Sequence, residues 1–170
     1  RLQIIESSHG FRQKLLISTG FLHFRSVLTH SGPFAPPISR VFMPDFNPSK
    51  DDIAWLHSAA ELAIRGAGCV EPNPMVGCIV VRGDVPIGMG WHQAFGGPHA
   101  EVHALSDASG DLAESTVYVT LEPCCHQGKT AACTDLLMSC RPKRVVVGCI
   151  DPNPRVAGKG IELLRDAGIQ

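Results

Sequence analysis

The sequence predicts an α/β fold in which a mixed sheet is flanked by helices. Three observations carry that expectation. Short apolar runs alternate with stretches whose apolar residues recur at helical spacing. Gly and Pro mark most of the junctions between them. In order, the segments read αββαβαβα, with no internal repeat and no low-complexity tract among them. The 170 residues suit one domain plus a tail, and 44% hydrophobic with 18% charged residues is an ordinary globular composition.

Residues up to about Phe46 have another character. Arg1, Arg12, Lys14, Arg25 and Arg40 are spread among Ser7, Ser8, Ser18, Ser26, Ser31 and Ser39, and Glu6 and Asp45 are the only acids there. A basic, Ser-rich, acid-poor leader describes an organellar transit peptide. Residues 1–48 are therefore expected to be targeting sequence, the plainer reading being a disordered extension without an address. Met43 could also serve as an internal start.

Order is expected from Ser49. Ser49 and Asp52 form a capping-box-like start, and Ile53, Leu56, Ala60, Ala63 and Ile64 follow at helical spacing until Gly66 and Gly68. Cys78 to Val81 is a short apolar strand, Arg82-Gly83-Asp84 a turn, and Ile87 to Trp91 a second strand. A helix opens at Pro98-His99 and runs past Leu105. Val117 to Leu121 is a third strand, stopped by Glu122-Pro123. A helix over Ala132–Met138 leads to a fourth strand, Val145–Cys149, and Ile161 to Ala167 forms the last helix. Beyond it, Gly168-Ile169-Gln170 reads as the entrance to one more strand. With Arg1 in place of an initiator Met, the sequence reads as an excerpt of a longer chain whose last strand is cut off.

Composition narrows the partners. The formal net charge of -1 gives no general attraction to nucleic acid. No apolar run approaches the roughly 20 residues of a membrane-spanning helix. The 7 cysteines are an odd number, and Cys69, Cys78, Cys140 and Cys149 sit in or beside apolar segments as buried reduced thiols do. A disulfide framework is not expected, and a reducing compartment suits the chain better.

The chemistry concentrates in His99-Ala100-Glu101, Pro123-Cys124 and Cys133. One imidazole and two thiolates make a three-ligand zinc site that leaves a fourth position for water. Zinc lowers the pKa of such a water from about 15.7 to about 7. Glu101, too close in sequence to His99 to be the obvious fourth ligand, reads as the group that moves protons. His-x-Glu followed by Pro-Cys and a second Cys matches the signature of zinc deaminases. The bland alternative is a closed structural site, for which Cys125 and His126 are the candidate fourth ligands. His99, Cys124 and Cys133 are expected at or just before helix N-termini, where the dipole favours thiolate.

Zinc deaminases acting on nucleic acids and nucleosides usually pair their cysteines as Cys-x-x-Cys. Here that spacing falls on Gln127, and the next thiol is Cys133. The intervening loop, Cys125 to Ala132, is long and polar, and its His126 and Lys129 can contact an anionic or hydroxylated substrate. Taken alone, Lys129 reads as a solvated loop charge.

Taken together, Pro72-Asn73-Pro74-Met75-Val76-Gly77-Cys78, Gly90-Trp91-His92, Gly97-Pro98-His99-Ala100-Glu101, Thr120-Leu121-Glu122-Pro123-Cys124, His126-x-Gly128-Lys129-Thr130 and Asp151-Pro152-Asn153-Pro154 resemble the deaminase domain of the riboflavin-biosynthesis deaminase/reductase family. The resemblance runs from about Lys50 to the end. It implies a cytidine-deaminase-like three-layer α/β/α sandwich over residues 49–170, a Zn2+ cofactor, and hydrolytic removal of the 2-amino group of 2,5-diamino-6-(5-phosphoribosylamino)pyrimidin-4-one. It gives Asn73, His92, His126, Lys129, Asp151 and Asn153 places in the substrate pocket. For Asn73 and Asn153, each between prolines, the residues alone read as turn formers, and His92 alone reads as a core histidine. Cys125 stands where the family usually has Ser, and Ala131-Ala132 where it has Pro-Pro. Neither change removes a ligand.

The resemblance further implies a small-molecule partner, no nucleic acid and no membrane. It is compatible with a homo-oligomer and with a C-terminal reductase-like domain outside this chain. Plant relatives separate the two activities and are made for plastids, which suits the leader. In one plant type the zinc residues are lost; here all are present. Two other readings stay open: a tRNA or nucleobase deaminase, and a zinc-stabilised binding domain without activity.

Overall fold

The computed structural model describes residues 49–126, 131–154 and 156–170. The expected targeting segment 1–48 and Lys129 lie outside the described residues. Four strands, β1 (Gly77–Arg82), β2 (Val85–Trp91), β3 (Thr116–Val119) and β4 (Arg144–Val147), form one sheet in the order β2-β1-β3-β4. β1 is antiparallel to β2 and β3, while β3 runs parallel to β4. The helices are α1 (Lys50–Ala63), α2 (Ala100–Asp107), α3 (Cys133–Cys140) and α4 (Lys159–Asp166). The chain follows the expected αββαβαβα order, with strand and helix ends displaced by three residues at most.

The period-two alternation of the strands divides the core into two layers. Ile79, Val81, Tyr118 and Val146 point to one face and pack against Ala59 and Leu62 of α1. Cys78, Val80, Val117 and Val119 point to the other, against Ala100, Ala104 and Leu105 of α2, Leu137 of α3 and Leu164 of α4. Both faces are covered, which explains why the central strands read as unbroken apolar runs. The result is the expected three-layer sandwich. At the outer edge of β4, the Val145 N–H donates to the Gln170 carbonyl at 2.8 Å and the Gln170 N–H to the Lys143 carbonyl at 3.3 Å. The last residue thus already runs beside the sheet.

Glycines on β2 set the position of α2. An added Cβ at Gly90 would lie 2.5 Å from the Ala100 carbonyl oxygen and 2.4 Å from the Ala104 nitrogen; at Gly88 it would lie 2.3 Å from the Ala104 carbonyl oxygen. The backbone of the helix therefore rests directly on the strand, as a side-chain-free strand position permits. This contact holds the N-terminus of α2 at the end of the sheet where the ligands gather.

The capping box at Ser49 is present, the Ser49 hydroxyl accepting from the Asp52 N–H and the Asp52 carboxylate from the Ser49 N–H, both at 3.0 Å. The apolar face of α1 differs from expectation. Ile53 and Ile64 are 39% and 40% exposed, and the buried positions are Asp52, Ala59, Leu62 and Ala63. The helix is turned because a carboxylate, not a hydrocarbon, occupies the buried first turn. Asp52 takes a two-pronged ion pair from Arg144, Nη1 to Oδ1 at 2.7 Å and Nη2 to Oδ2 at 3.0 Å, and the Tyr118 hydroxyl donates to Oδ1 at 3.0 Å. One side chain thereby joins α1 to β3 and β4.

Burial pushes the Asp52 carboxyl up, but Arg144, the Ser49 N–H and the Tyr118 hydroxyl outweigh it and hold the group at about 2, below the ordinary 3.8. A carboxylate depressed in the folded state stabilises fully above its unfolded pKa, and the contribution is lost as pH falls through the folded value. The Asp52 contribution should accordingly fade between about pH 4 and pH 2. Removing one partner of a buried pair costs roughly 3–5 kcal/mol. With Arg144 still 27% exposed, Asp52→Ala should cost about 3 kcal/mol, seen as a lowered urea midpoint at neutral pH. A loss under about 1 kcal/mol would show that the pair behaves as a surface one.

Candidate metal centre and active site

The ends of β3 and β4 and the starts of α2 and α3 converge on His99, Cys124 and Cys133. His99 is the N-cap of α2 and Cys133 the first residue of α3. Their ligand atoms lie within 4.8 Å of one another, the one group of three or more such donors among the described residues. His99 Nδ1 is 3.5 Å from Cys124 Sγ and 3.3 Å from Cys133 Sγ. Cys125 and His126 stand outside this cluster, so neither closes it as a fourth ligand. An imidazole nitrogen and two sulfurs at this spacing suit a tetrahedral zinc ion with one position left open.

Cys124 departs from expectation, since no helix follows it directly. It lies in the loop after β3, nine residues before Cys133. Folding restores the relation the sequence lacks. The Cys133 N–H donates to Cys124 Sγ at 3.3 Å and the Thr134 N–H to the Cys124 carbonyl at 3.2 Å. The unpaired N–H groups of the first turn of α3 are thus turned on Cys124. Hydrogen bonding from the Cys133 thiol, then from His99 and the Cys133 N–H, pulls Cys124 down to about 4 against its burial. The same hydrogen bond drives Cys133 strongly up. His99 is raised, first by its hydrogen bond with Cys124.

Glu101 sits in the first turn of α2, 3% exposed, and burial pushes its carboxyl above the ordinary range. His92, also 3% exposed, stands edge-on to the His99 ring with centroids 5.6 Å apart. Its Nδ1 lies 3.0 Å from the Pro98 carbonyl, which can only accept, so Nδ1 carries the proton. In the neutral ring Nε2 is then an acceptor, and the Asn73 amide NH2 donates to it at 3.3 Å.

These groups border a cleft of about 220 Å³. Asn73, His92, His126 and Asp151 line it together with His99, Glu101 and Cys124. Asn153 does not. It is exposed, and its N–H donates to Asp151 Oδ1 at 2.8 Å in the turn that a Pro-Asn-Pro segment favours. Lys129 lies outside the described residues. The structure adds Leu121 and Glu122 to the wall, residues that the sequence offers at the end of a strand and within a family motif, with no role of their own. The sequence signal for Glu122 is its place in Thr120-Leu121-Glu122-Pro123-Cys124, two positions before a metal ligand.

The other thiols divide. All seven cysteines are unpaired as disulfides, Cys78 is fully buried, and Cys140 and Cys149 are half-buried. Burial drives Cys78 well up and Cys149 to about 11, as expected of inert thiols. Cys69, expected to be buried, is exposed in the turn that follows a short 3-10 helix, Ile64–Gly66. No helix among the described residues is long and apolar enough to cross a membrane.

An open three-donor centre beside a buried glutamate, on a mixed sheet between two helical layers, defines a zinc-type deaminase scaffold. Residues 49–149 match the cytidine and deoxycytidylate deaminase zinc-binding region, and the chain belongs to that family. It is 42% identical over 160 residues to the chloroplastic riboflavin biosynthesis protein PYRD of Arabidopsis thaliana, covering 94% of this chain and 37% of that protein. Among solved structures it is similar to RibD of Acinetobacter baumannii, with 51% identity and a TM-score of 0.69, covering 71% of this chain and 34% of that one. The bifunctional diaminohydroxyphosphoribosylaminopyrimidine deaminase/5-amino-6-(5-phosphoribosylamino)uracil reductase of Thermotoga maritima aligns at 46% identity and a TM-score of 0.68, covering 71% and 35%. The chain spans about a third of the length of these relatives.

Proposed function

We propose that residues 49–170 hydrolytically deaminate 2,5-diamino-6-(5-phosphoribosylamino)pyrimidin-4-one, releasing ammonia and leaving the 5-aminouracil derivative. The observation that carries this reading is the His99, Cys124 and Cys133 cluster opening on a cleft that also holds Glu101. His99 Nδ1 and the two sulfurs would hold the zinc ion. When bound, zinc supplies a Lewis acid that makes water nucleophilic at neutral pH. The water oxygen bonds to the ring carbon bearing the amine, and the carbon–nitrogen bond breaks. Glu101 accepts the water's proton and hands it to the departing nitrogen, which leaves as ammonia. Burial suits Glu101 to this exchange, because a carboxyl held above its usual range gives up and takes back a proton more evenly near neutrality.

Asn73, His92, His126 and Asp151 form the substrate wall, and Lys129 and Asn153 are assigned to the substrate by the family resemblance alone. The kinship with a chloroplastic protein supports a plastid address for residues 1–48. A fluorescent fusion of that segment tests the address, and cytosolic fluorescence would remove it. The activity is tested by ammonia release from the phosphoribosyl pyrimidine by the zinc-loaded protein. Faster release from free cytidine or an RNA hairpin would replace this substrate with a nucleoside or nucleic acid. Stable zinc with no release from any of them would leave a binding domain.

A further inference from the structure

Two glutamates line the cleft, and by burial alone they are indistinguishable, since Glu122 and Glu101 are each 3% exposed. Their partners separate them. Glu122 Oε2 accepts the N–H of Gly158 at 2.8 Å and of Asp151 at 3.2 Å, and Oε1 accepts the N–H of Gly160 at 2.9 Å. Gly158 is the N-cap of α4, with φ 93° and no side chain to cap the helix. The first N–H groups of a helix have no partner within it, and the dipole there favours an anion. Glu122 supplies that anion from the loop after β3. The seat is tight, for a Cβ at Gly160 would stand 2.3 Å from the Pro123 carbonyl oxygen and 3.2 Å from Glu122 Oε1.

The third hydrogen bond gives the arrangement its bearing on the cleft. Asp151 lines the cleft, and its backbone is held by the same carboxylate that caps α4. Glu122 stands two positions before Cys124 in the chain. A single side chain therefore fixes the Asp151 wall against the loop that carries a metal ligand. We propose that Glu122 is a positioning residue: it sets the distance between the Asp151 wall and the metal centre and takes no part in proton transfer. Both of its oxygens are engaged by backbone N–H donors of the Asp151 loop and the start of α4.

The kinetic half of the test rests on the deaminase reading above; the exchange half does not. In zinc-loaded Glu122→Gln protein, the amide NH2 would confront an N–H donor. A hydrogen bond to a charged group accounts for about 10–100-fold, so the Gly158 and Gly160 amides should exchange with deuterium at least about 10-fold faster. Zinc content should match the wild type, KM should rise by about 10-fold or more, and kcat should stay within about 3-fold. A proton-transfer role predicts the reverse split, a kcat loss of about 10²–10⁴-fold with KM held, and that result would overturn the proposal. Glu122→Asp, which keeps the charge on a shorter arm, should recover part of the KM. Should Glu122→Gln fail to fold, Gly160→Ala carries the test, since it displaces the start of α4 with the carboxylate intact and should raise KM in the same way. An unchanged KM in Gly160→Ala, or wild-type exchange at Gly158 and Gly160 in Glu122→Gln, sinks the idea. If the wild type releases no ammonia from the phosphoribosyl pyrimidine, the substrate reading fails, and the exchange rates alone decide for or against Glu122.

Discussion

Glu101→Gln protein should retain its zinc and lose deamination by at least about 10²–10⁴-fold, the range typical of a lost general acid/base. Gln fills the same volume at the first turn of α2 and cannot carry a proton between water and the leaving nitrogen. Glu101 is not one of the three clustered donors, and although its side chain hydrogen-bonds the Cys133 thiol, the three ligand atoms are unaltered by the change. Metal analysis beside single-turnover kinetics separates the two effects. A metal-free Glu101→Gln protein would make Glu101 a ligand, and the centre would no longer be open.

The second large effect is expected at the thiols. Cys133→Ser should abolish zinc binding and activity, while Cys125→Ser keeps both. Cys133 is 1% exposed, and its sulfur faces His99 Nδ1 at 3.3 Å, whereas Cys125 is outside the cluster. Structural zinc binding is worth about 10–16 kcal/mol in small peptides, and a site with only three protein ligands has none to spare. Zinc content of the two purified variants decides the matter. A zinc-free Cys125→Ser protein would move the ligand assignment to the neighbouring residue.

How much of this was legible in the sequence depends on the range of each signal. His99 and Glu101 are two positions apart, and Pro123-Cys124 is contiguous, so local spacing was enough to bring them forward as a metal and proton-transfer set. The strand order could be sketched because apolar runs and glycines report their own local structure. What failed was set by distant partners. The face of α1 was misplaced because periodicity favours Ile53 and Ile64, while the fold spends the inward position on Asp52 to reach Arg144. Glu122 passed as a strand terminator because its three donors lie 29, 36 and 38 residues away. The family resemblance places Asn153 in the substrate pocket, while the residue alone reads as a turn former, and an exposed turn is where it stands here.

The span of the Asp52 contacts sets an order of events during synthesis. Tyr118 is 66 residues and Arg144 92 residues downstream of Asp52. At the usual 5–20 residues per second, the ribosome delivers Arg144 about 5–20 s after Asp52. Through that interval α1 has its capping box, a local device, but a carboxylate whose guanidinium does not yet exist. The first of the described helices to be made is therefore among the last elements that can settle into place, and nascent chains halted before β4 should expose it to proteases and chaperones.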